Sequence, residues 1–194
     1  MKIVLATGNQ GKIKELQYRL GDHFDLIAQS DLGVIAPPET GLTFVENALI
    51  KARAAAEQTG LPCIADDSGL AVDHLKGAPG IRSARFAGET ATDTENNAKL
   101  LASLDQVPTG ERSARFHCAL VYLRHAADPT PIICQGTWEG RILDAPSGNG
   151  GFGYDPLFFA LDQHCAAAEL TPEIKNKVSH RGIAMDSLAE QFDN

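Results

Sequence analysis

The sequence has no apolar run long enough to cross a bilayer. Its longest runs fall far below the roughly 18 residues that a membrane-spanning helix needs. The chain also starts with a strand-like segment, where a signal peptide would have a basic and then an apolar region. We therefore expect a cytoplasmic protein.

Positive charge and paired cysteines are also scarce. The formal net charge is −8, so a nucleic acid or an anionic membrane would meet no basic face and release few counterions. Four cysteines are scattered without the C-x-x-C pair that zinc and redox motifs use. These features predict no nucleic-acid or membrane partner, reduced thiols in the core, and local cations for any anionic substrate.

The composition is that of an ordinary globular protein. With 194 residues, of which 43% are hydrophobic and 22% charged, the chain can bury a core and is predicted to form one domain over residues 1–194, with room for two lobes. Helix-like and strand-like segments mix along it, which predicts an α/β architecture whose strands need not all be parallel.

Capping boxes mark two helices. Thr43 with Glu46 and Thr92 with Glu95 fit the T-x-x-E pattern, and Gly60 ends the first of these helices. Residues 61–75 are interpreted as a strand, a tight turn at Ser68-Gly69 and a second strand. Further strands are predicted over 114–125 and 131–143, and further helices over 171–180 and 183–192.

The segment "TGNQGK" near the N-terminus, between a strand-like run and a helix-like pattern, is typical of a phosphate site. It is not a Walker loop, because the spacing from Gly8 to Gly11 is too short and Ile13 follows Lys12 where a hydroxyl is required. Its role therefore depends on the rest of the chain.

Carboxylates in "ADDSG" and near "PPET" are candidate metal ligands. Asp66 and Asp67 are predicted at the end of an apolar strand, and magnesium needs only one or two carboxylates beside substrate phosphates. Adjacent aspartates also form Asx-turns, and Glu39 alone fits a solvated loop. Asn47 and Lys51 share one helix face, which fits either a site or a solvated surface.

Two later segments are candidates for recognising a nucleoside. The glycine loop around "GGFGYD" exposes backbone N–H groups beside Phe152 and Tyr154, either of which can stack on a base, although glycine runs are also simple turns. "KNKVSHRG" gathers Lys175, His180 and Arg181 in an acidic chain, which fits an anion or a carbonyl-rich base, or an exposed basic stretch without function.

Six segments in this order, "TGNQGK", "ETGLTFVENALIKA", "ADDSGL", "GAPGIRSARF", "GGFGYDPLF" and "SHRG", resemble the inosine triphosphate pyrophosphatase family. The match covers nearly the whole chain and is closest to the bacterial dITP/XTP pyrophosphatases, which remove deaminated purine nucleotides. The resemblance implies a two-lobed α/β fold with a long mixed β-sheet flanked by helices, a homodimer, and a Mg²⁺-dependent nucleoside triphosphate pyrophosphatase.

The resemblance also implies roles for individual residues. Asp67 would be the general base and, with Glu39, a magnesium ligand. Lys51 is a further catalytic candidate on physical grounds, because with magnesium and Lys12 it can neutralise the negative charge that repels the attacking water. The substrate would be bound by Thr7, Gly8, Asn9, Gln10, Gly11, Lys12, Ser68, Phe152, Gly153, Tyr154, Asp155, Lys175, His180 and Arg181. Two alternatives remain. A nucleotide-sensing module would need no catalytic general base, and a general phosphomonoesterase would release orthophosphate.

Overall fold

The computed structural model describes residues 1–192. Five α-helices and seven β-strands lie in this range, besides short 3-10 turns. The helices are α1 (Gln10–Leu20), α2 (Phe44–Thr59), α3 (Asp93–Ser103), α4 (Pro172–Val178) and α5 (His180–Phe192). The strands are β1 (Lys2–Leu5), β2 (Asp25–Ala28), β3 (Cys63–Val72), β4 (Ser113–Leu123), β5 (Ile132–Ile142), β6 (Phe158–Ala160) and β7 (Cys165–Ala166).

The seven strands form one sheet in the order β2-β1-β3-β4-β5-β6-β7. β1 pairs in parallel with β2 and with β3, whereas β6 pairs antiparallel with β5 and with β7. The α/β fold with a mixed sheet is thereby confirmed, because parallel and antiparallel pairs occur in the same sheet.

The chain divides into two compact units. The first comprises residues 1–67, 118–136 and the chain from Arg181 on, and the second comprises residues 68–117 and 137–180. β3, β4 and β5 contribute residues to both units, so neither unit corresponds to one continuous stretch of sequence.

The first unit buries both faces of its part of the sheet. On β1, Ile3 packs in one core cluster with Leu16 of α1 and Met185 of α5, while the next residue, Val4, packs in another cluster with Ala52 of α2. Because successive side chains of a strand point to opposite faces, the nearly continuous apolar run of β1 is buried on both sides. This packing fixes the end of β1 and the start of α1.

The second unit has a core of its own beneath α3. Leu100 of α3 is fully buried in a cluster with Trp138, Tyr154 and Phe158. Asn96 of α3 is also buried, accepting a hydrogen bond from the N–H of Ala87 and donating to the Ala84 carbonyl. The helix is thereby tied to the core below it and to the chain that precedes it.

The turn predicted at Ser68-Gly69 is wrong. β3 runs without interruption from Cys63 to Val72, so Asp66 and Asp67 lie in the middle of the strand and not at its end. Ser-Gly favours a turn in isolation. Here β3 is a central strand, next to β1 and β4 in the sheet, and its place in the sheet outweighs that local preference.

The predicted helix starts are confirmed. Thr43 and Thr92 each accept a hydrogen bond from the backbone N–H of the glutamate three residues later, and each glutamate side chain accepts one in return. Gly60 ends α2 with a φ of 68°, in the left-handed region that favours glycine.

The cysteines are free, as the spacing predicted. Cys63, Cys118 and Cys134 are buried core thiols, while Cys165 is half-buried. Within residues 1–192 no helix is both long and apolar enough to cross a membrane.

Candidate active site

The "TGNQGK" segment joins β1 to α1 in the first unit. Thr7 is buried, and its hydroxyl accepts a hydrogen bond from the N–H of Asn9 at 3.2 Å. Asn9 caps α1, its Oδ1 accepting from the N–H of Lys12 at 3.1 Å, and Gly8, Asn9 and Gln10 are exposed. An exposed loop at the positive end of a helix suits an anion.

Lys12 is paired with the first aspartate of "ADDSG". Its ammonium lies 2.7 Å from Oδ1 of Asp66, a side chain with no exposed surface. The Nε of Arg181 donates to the other carboxylate oxygen of Asp66 at 3.1 Å. Burial alone would raise the pKa of Asp66, but Lys12, Arg181 and Lys51 outweigh it and hold the pKa well below its ordinary value.

Arg181 is the central cation of this buried cluster. Only 2% of its side chain is exposed, and besides Asp66 it donates from Nη1 to Glu15 of α1. Burial lowers the pKa of Arg181, but the charges of Asp66 and Glu15 outweigh it, and the pKa is raised above its ordinary value. The structure shows Arg181 bound to Asp66. The predicted contact of Arg181 with a nucleobase stays a prediction.

The second aspartate has a different environment. Asp67 accepts a hydrogen bond from Lys51 Nζ at 2.7 Å, and the same ammonium lies 3.0 Å from Glu39. Asn47 Nδ2 donates to the other oxygen of Asp67 at 3.4 Å. Burial raises the pKa of Asp67, and the opposing charge of Lys51 is insufficient to cancel that rise.

α2 explains how these groups meet. Asn47 and Lys51 are four residues apart and lie on the face of α2 that turns toward β3 within the first unit. Asn47 is fully buried and the Lys51 side chain is 13% exposed. The alternative that Asn47 and Lys51 lie on a solvated helix face is therefore wrong. The alternative that Glu39 is a solvated loop residue is also wrong, because Glu39 pairs with Lys51.

In the second unit, the glycine loop gathers Phe152, Asp155 and Lys175. Oδ2 of Asp155 accepts from the N–H of Phe152 at 2.8 Å and from Lys175 Nζ at 2.5 Å. The Lys175 ammonium also lies 4.6 Å from the centre of the Phe152 ring, which is cation–π distance. The loop is thus held by side-chain contacts of Asp155 and Lys175 and is more than a simple turn.

The remaining predicted pocket residues are also placed in the second unit. Tyr154 is buried and its hydroxyl donates to the Ser83 carbonyl at 2.8 Å, so its ring is part of the core. His180 is buried and stacks on Phe116 with ring centres 4.7 Å apart. Ser68 is half-buried in β3, directly after Asp67. The alternative of an exposed basic stretch is wrong for Lys175 and His180.

Several residues of these clusters were missed in the sequence. Glu15 lies three residues after Lys12 on α1, a spacing that places both side chains on one face. Asp93 and Asn97 of α3 bind the peptide of Gly153. Their i, i+4 spacing beside a capping box was a visible signal, but nothing local relates α3 to a loop more than fifty residues later.

Comparison with known proteins identifies the family. The model of the Ham1 family matches residues 3–191. The chain belongs to the Ham1 family. Its membership rests on almost the entire sequence and not on single motifs.

Relatives in the Ham1 family are close over the full length. The chain is 61% identical over 192 residues to the dITP/XTP pyrophosphatase of Vibrio parahaemolyticus, covering 98% of this chain and 96% of the relative. It is 59% identical over 194 residues to the dITP/XTP pyrophosphatase of Escherichia coli K12, covering 100% and 98%. A solved HAM1 protein from Coxiella burnetii superposes with a TM-score of 0.92 at 47% identity, covering 100% and 98%.

Proposed function

We propose that this protein hydrolyses the deaminated purine nucleoside triphosphates dITP, ITP and XTP to the monophosphate and pyrophosphate. The observation that carries the proposal is the Asp67 carboxylate, buried beside Lys51 and Glu39 in the unit that also holds the phosphate loop. Its relatives bear the name of this activity. The activity would keep these bases out of DNA and RNA.

The phosphate loop binds the substrate's charge. The exposed backbone at the start of α1 and the ammonium of Lys12 offer donors to phosphate oxygens. The attacking water is repelled by the negative charge of a triphosphate until cations neutralise it. Asp66 holds Lys12 in place by its ion pair at 2.7 Å.

Asp67 accepts the proton of the attacking water. The water oxygen forms a bond to the α-phosphorus, the bond between the α-phosphorus and the α–β bridging oxygen breaks, and pyrophosphate leaves with that electron pair. A carboxylate whose pKa is raised by burial is a better proton acceptor than an ordinary aspartate. Lys51 and Asn47 orient it through their hydrogen bonds.

Glu39 and Asp67 fit a magnesium ion. Their oxygens already converge on one cation, the ammonium of Lys51, at 3.0 and 2.7 Å. A magnesium ion can take two carboxylates and complete its shell with phosphates and waters. When bound, Mg²⁺ neutralises phosphate charge and polarises the P–O bonds.

The cluster of Phe152, Asp155 and Lys175 binds the base, together with His180. Phe152 is half-buried, and since Tyr154 is enclosed in the core we assign stacking to Phe152. Cationic or N–H donors suit the 6-oxygen of hypoxanthine and xanthine, whereas adenine presents an amino group there and leaves them unpaired. Selectivity against ATP follows from that mismatch.

One experiment tests the function. Purified protein is given ITP or ATP, with magnesium or with a chelator, and pyrophosphate and orthophosphate are measured separately. We expect pyrophosphate from ITP only when magnesium is present, and far less from ATP. Orthophosphate as the sole primary product would favour a phosphomonoesterase, and binding without turnover would favour a nucleotide sensor.

We also propose, from the family resemblance, a cytoplasmic homodimer. Light scattering after size-exclusion chromatography measures the mass in solution, and fractionation of cells measures the location. A mass of one chain at micromolar concentration would contradict the dimer.

A further inference from the structure

The peptide of Gly153 is bound from both sides by α3. Its N–H donates to Oδ2 of Asp93 at 2.7 Å, and its carbonyl accepts from Nδ2 of Asn97 at 2.8 Å. Asp93 and Asn97 are four residues apart on the same face of the helix. One helical face thus holds both polar groups of a single residue, which fixes the position and the orientation of that residue.

The backbone around Gly153 has little conformational freedom. Gly153 has a φ of 62°, a conformation that other residues adopt only under strain. A Cβ on Gly151 would lie 2.0 Å from Oδ2 of Asp155. The same oxygen of Asp155 accepts from the N–H of Phe152. Phe152 is therefore held between Asp155 on one side and the clamped Gly153 on the other.

Asn97 has a buried side-chain oxygen that lowers the stability of the folded protein. Its Oδ1 is buried, and within the described chain this oxygen has no hydrogen-bond partner. A buried acceptor without a donor destabilises a protein, so such a group needs an explanation. The hydrogen bond from Nδ2 to the Gly153 carbonyl provides one, because the reversed amide would bring two oxygens together.

We propose that Asp93 and Asn97 are positioning residues that fix the Phe152 ring for stacking on the base. This inference rests on the proposed function, since it assigns Phe152 to base binding. Neither residue touches the substrate. They act through the Gly153 peptide, which is joined directly to Phe152.

The test compares a ligand with a base to a ligand without one. Affinity for inosine 5′-monophosphate is measured by calorimetry, and inorganic triphosphate is used as the base-free probe of the phosphate loop. For Asp93→Ala and Asn97→Ala we expect roughly five- to tenfold weaker binding of the monophosphate, because part of the stacking is lost. We expect triphosphate binding to be unchanged, and the KM for ITP to rise with little change in kcat.

Two further variants separate positioning from helix stability. Asp93→Asn retains an oxygen that accepts from the Gly153 N–H, so it should bind the monophosphate within about twofold of the wild type. Ala98→Gly weakens α3 at an exposed position, because glycine has a much lower helix propensity than alanine. It should lower the melting temperature without changing the affinity for the monophosphate.

Any of four results would overturn the proposal. Three concern the variants: unchanged monophosphate binding in both alanine variants, an equal loss in Ala98→Gly, or an equal loss of triphosphate binding. The fourth is a wild-type protein that binds no inosine monophosphate. A wild-type protein that binds the monophosphate but releases no pyrophosphate from ITP would contradict the proposed function alone, and the comparison of affinities would still decide the positioning role.

Discussion

Asp66 and Asp67 are consecutive residues of β3 whose carboxyl pKa values are shifted in opposite directions. Burial raises both, but Lys12 and Arg181 overcome it at Asp66, whereas Lys51 does not overcome it at Asp67. Neighbours on a strand point to opposite faces, so each carboxylate pairs directly with different cations. One is an anchor for charged side chains and the other a candidate proton acceptor.

Asp67→Asn should abolish most turnover while preserving the fold. An amide cannot accept the proton of the water and binds magnesium poorly, and loss of a general base typically costs about 10²- to 10⁴-fold in rate. Because burial disfavours the charged form of Asp67, we expect no loss in the free energy of unfolding at neutral pH. The measurements are pyrophosphate release from ITP and denaturant unfolding; turnover equal to the wild type at saturating magnesium would contradict the role.

Asp66→Asn should behave in the opposite way, with a large loss of stability and a smaller direct effect on the chemical step. Removing one partner of a buried ion pair costs about 3–5 kcal/mol. Asp186→Asn is a suitable control, because its pair with Arg19 also joins α5 to α1 but is exposed, with an expected cost of about 1 kcal/mol or less. Similar unfolding midpoints for the two variants would show that Asp66 is not an anchor.

Asp66 should also make the protein sensitive to acid. Its pKa is lower in the folded protein than its ordinary value of 3.8, so its contribution to stability is complete above that ordinary value and is lost as the pH falls below it. We expect the free energy of unfolding of the wild type to fall more steeply than that of Asp66→Asn in this acid range. Parallel curves from denaturant titrations would count against the assignment.

The activity should rise with pH through the pKa of Asp67. Proton acceptance needs the ionised carboxylate, and the Lys51 ammonium opposes the rise in pKa that burial causes. Lys51→Met removes this opposing charge, so the acid limb of kcat/KM should move to higher pH. Lys14→Met, which removes an equal charge from an exposed position of α1, should leave the limb in place. A limb that is unchanged in Lys51→Met would mean that another group controls it.

Substituting His180 should change the selectivity for the base, whereas substituting Lys12 should change the affinity for the phosphates. His180→Ala should reduce kcat/KM for ITP more than for ATP, by about tenfold for one lost donor. Lys12→Ala should raise KM for both about equally, because a phosphate contact carries no information about the base. For Arg181→Ala we expect lost discrimination together with lower stability, since Asp66 and Glu15 lose their shared cation. Equal factors for both substrates in His180→Ala would assign it to charge neutralisation.

Sequence alone determined the features that depend on local chemistry. The capping boxes at Thr43 and Thr92 and the glycine at position 60 were read correctly, because an N-cap or a left-handed residue acts within a few residues of itself. The order of six segments was sufficient for the family and for its mixed α/β sheet. The residues of the phosphate loop and of the ADDSG segment were selected from the same six segments, and their roles stay predictions.

Tertiary structure alone decided what those residues contact. The central place of β3 in the sheet kept it a continuous strand through Ser68-Gly69, against the local preference for a turn. Contacts between distant residues shift the pKa values of Asp66 and Asp67 in opposite directions. Other such contacts pair Arg181 with Glu15 and bind Gly153 to α3. These contacts join residues up to 166 positions apart in sequence. Local sequence carries no record of such distances, because a pKa depends on burial and on charges that only the folded chain brings together.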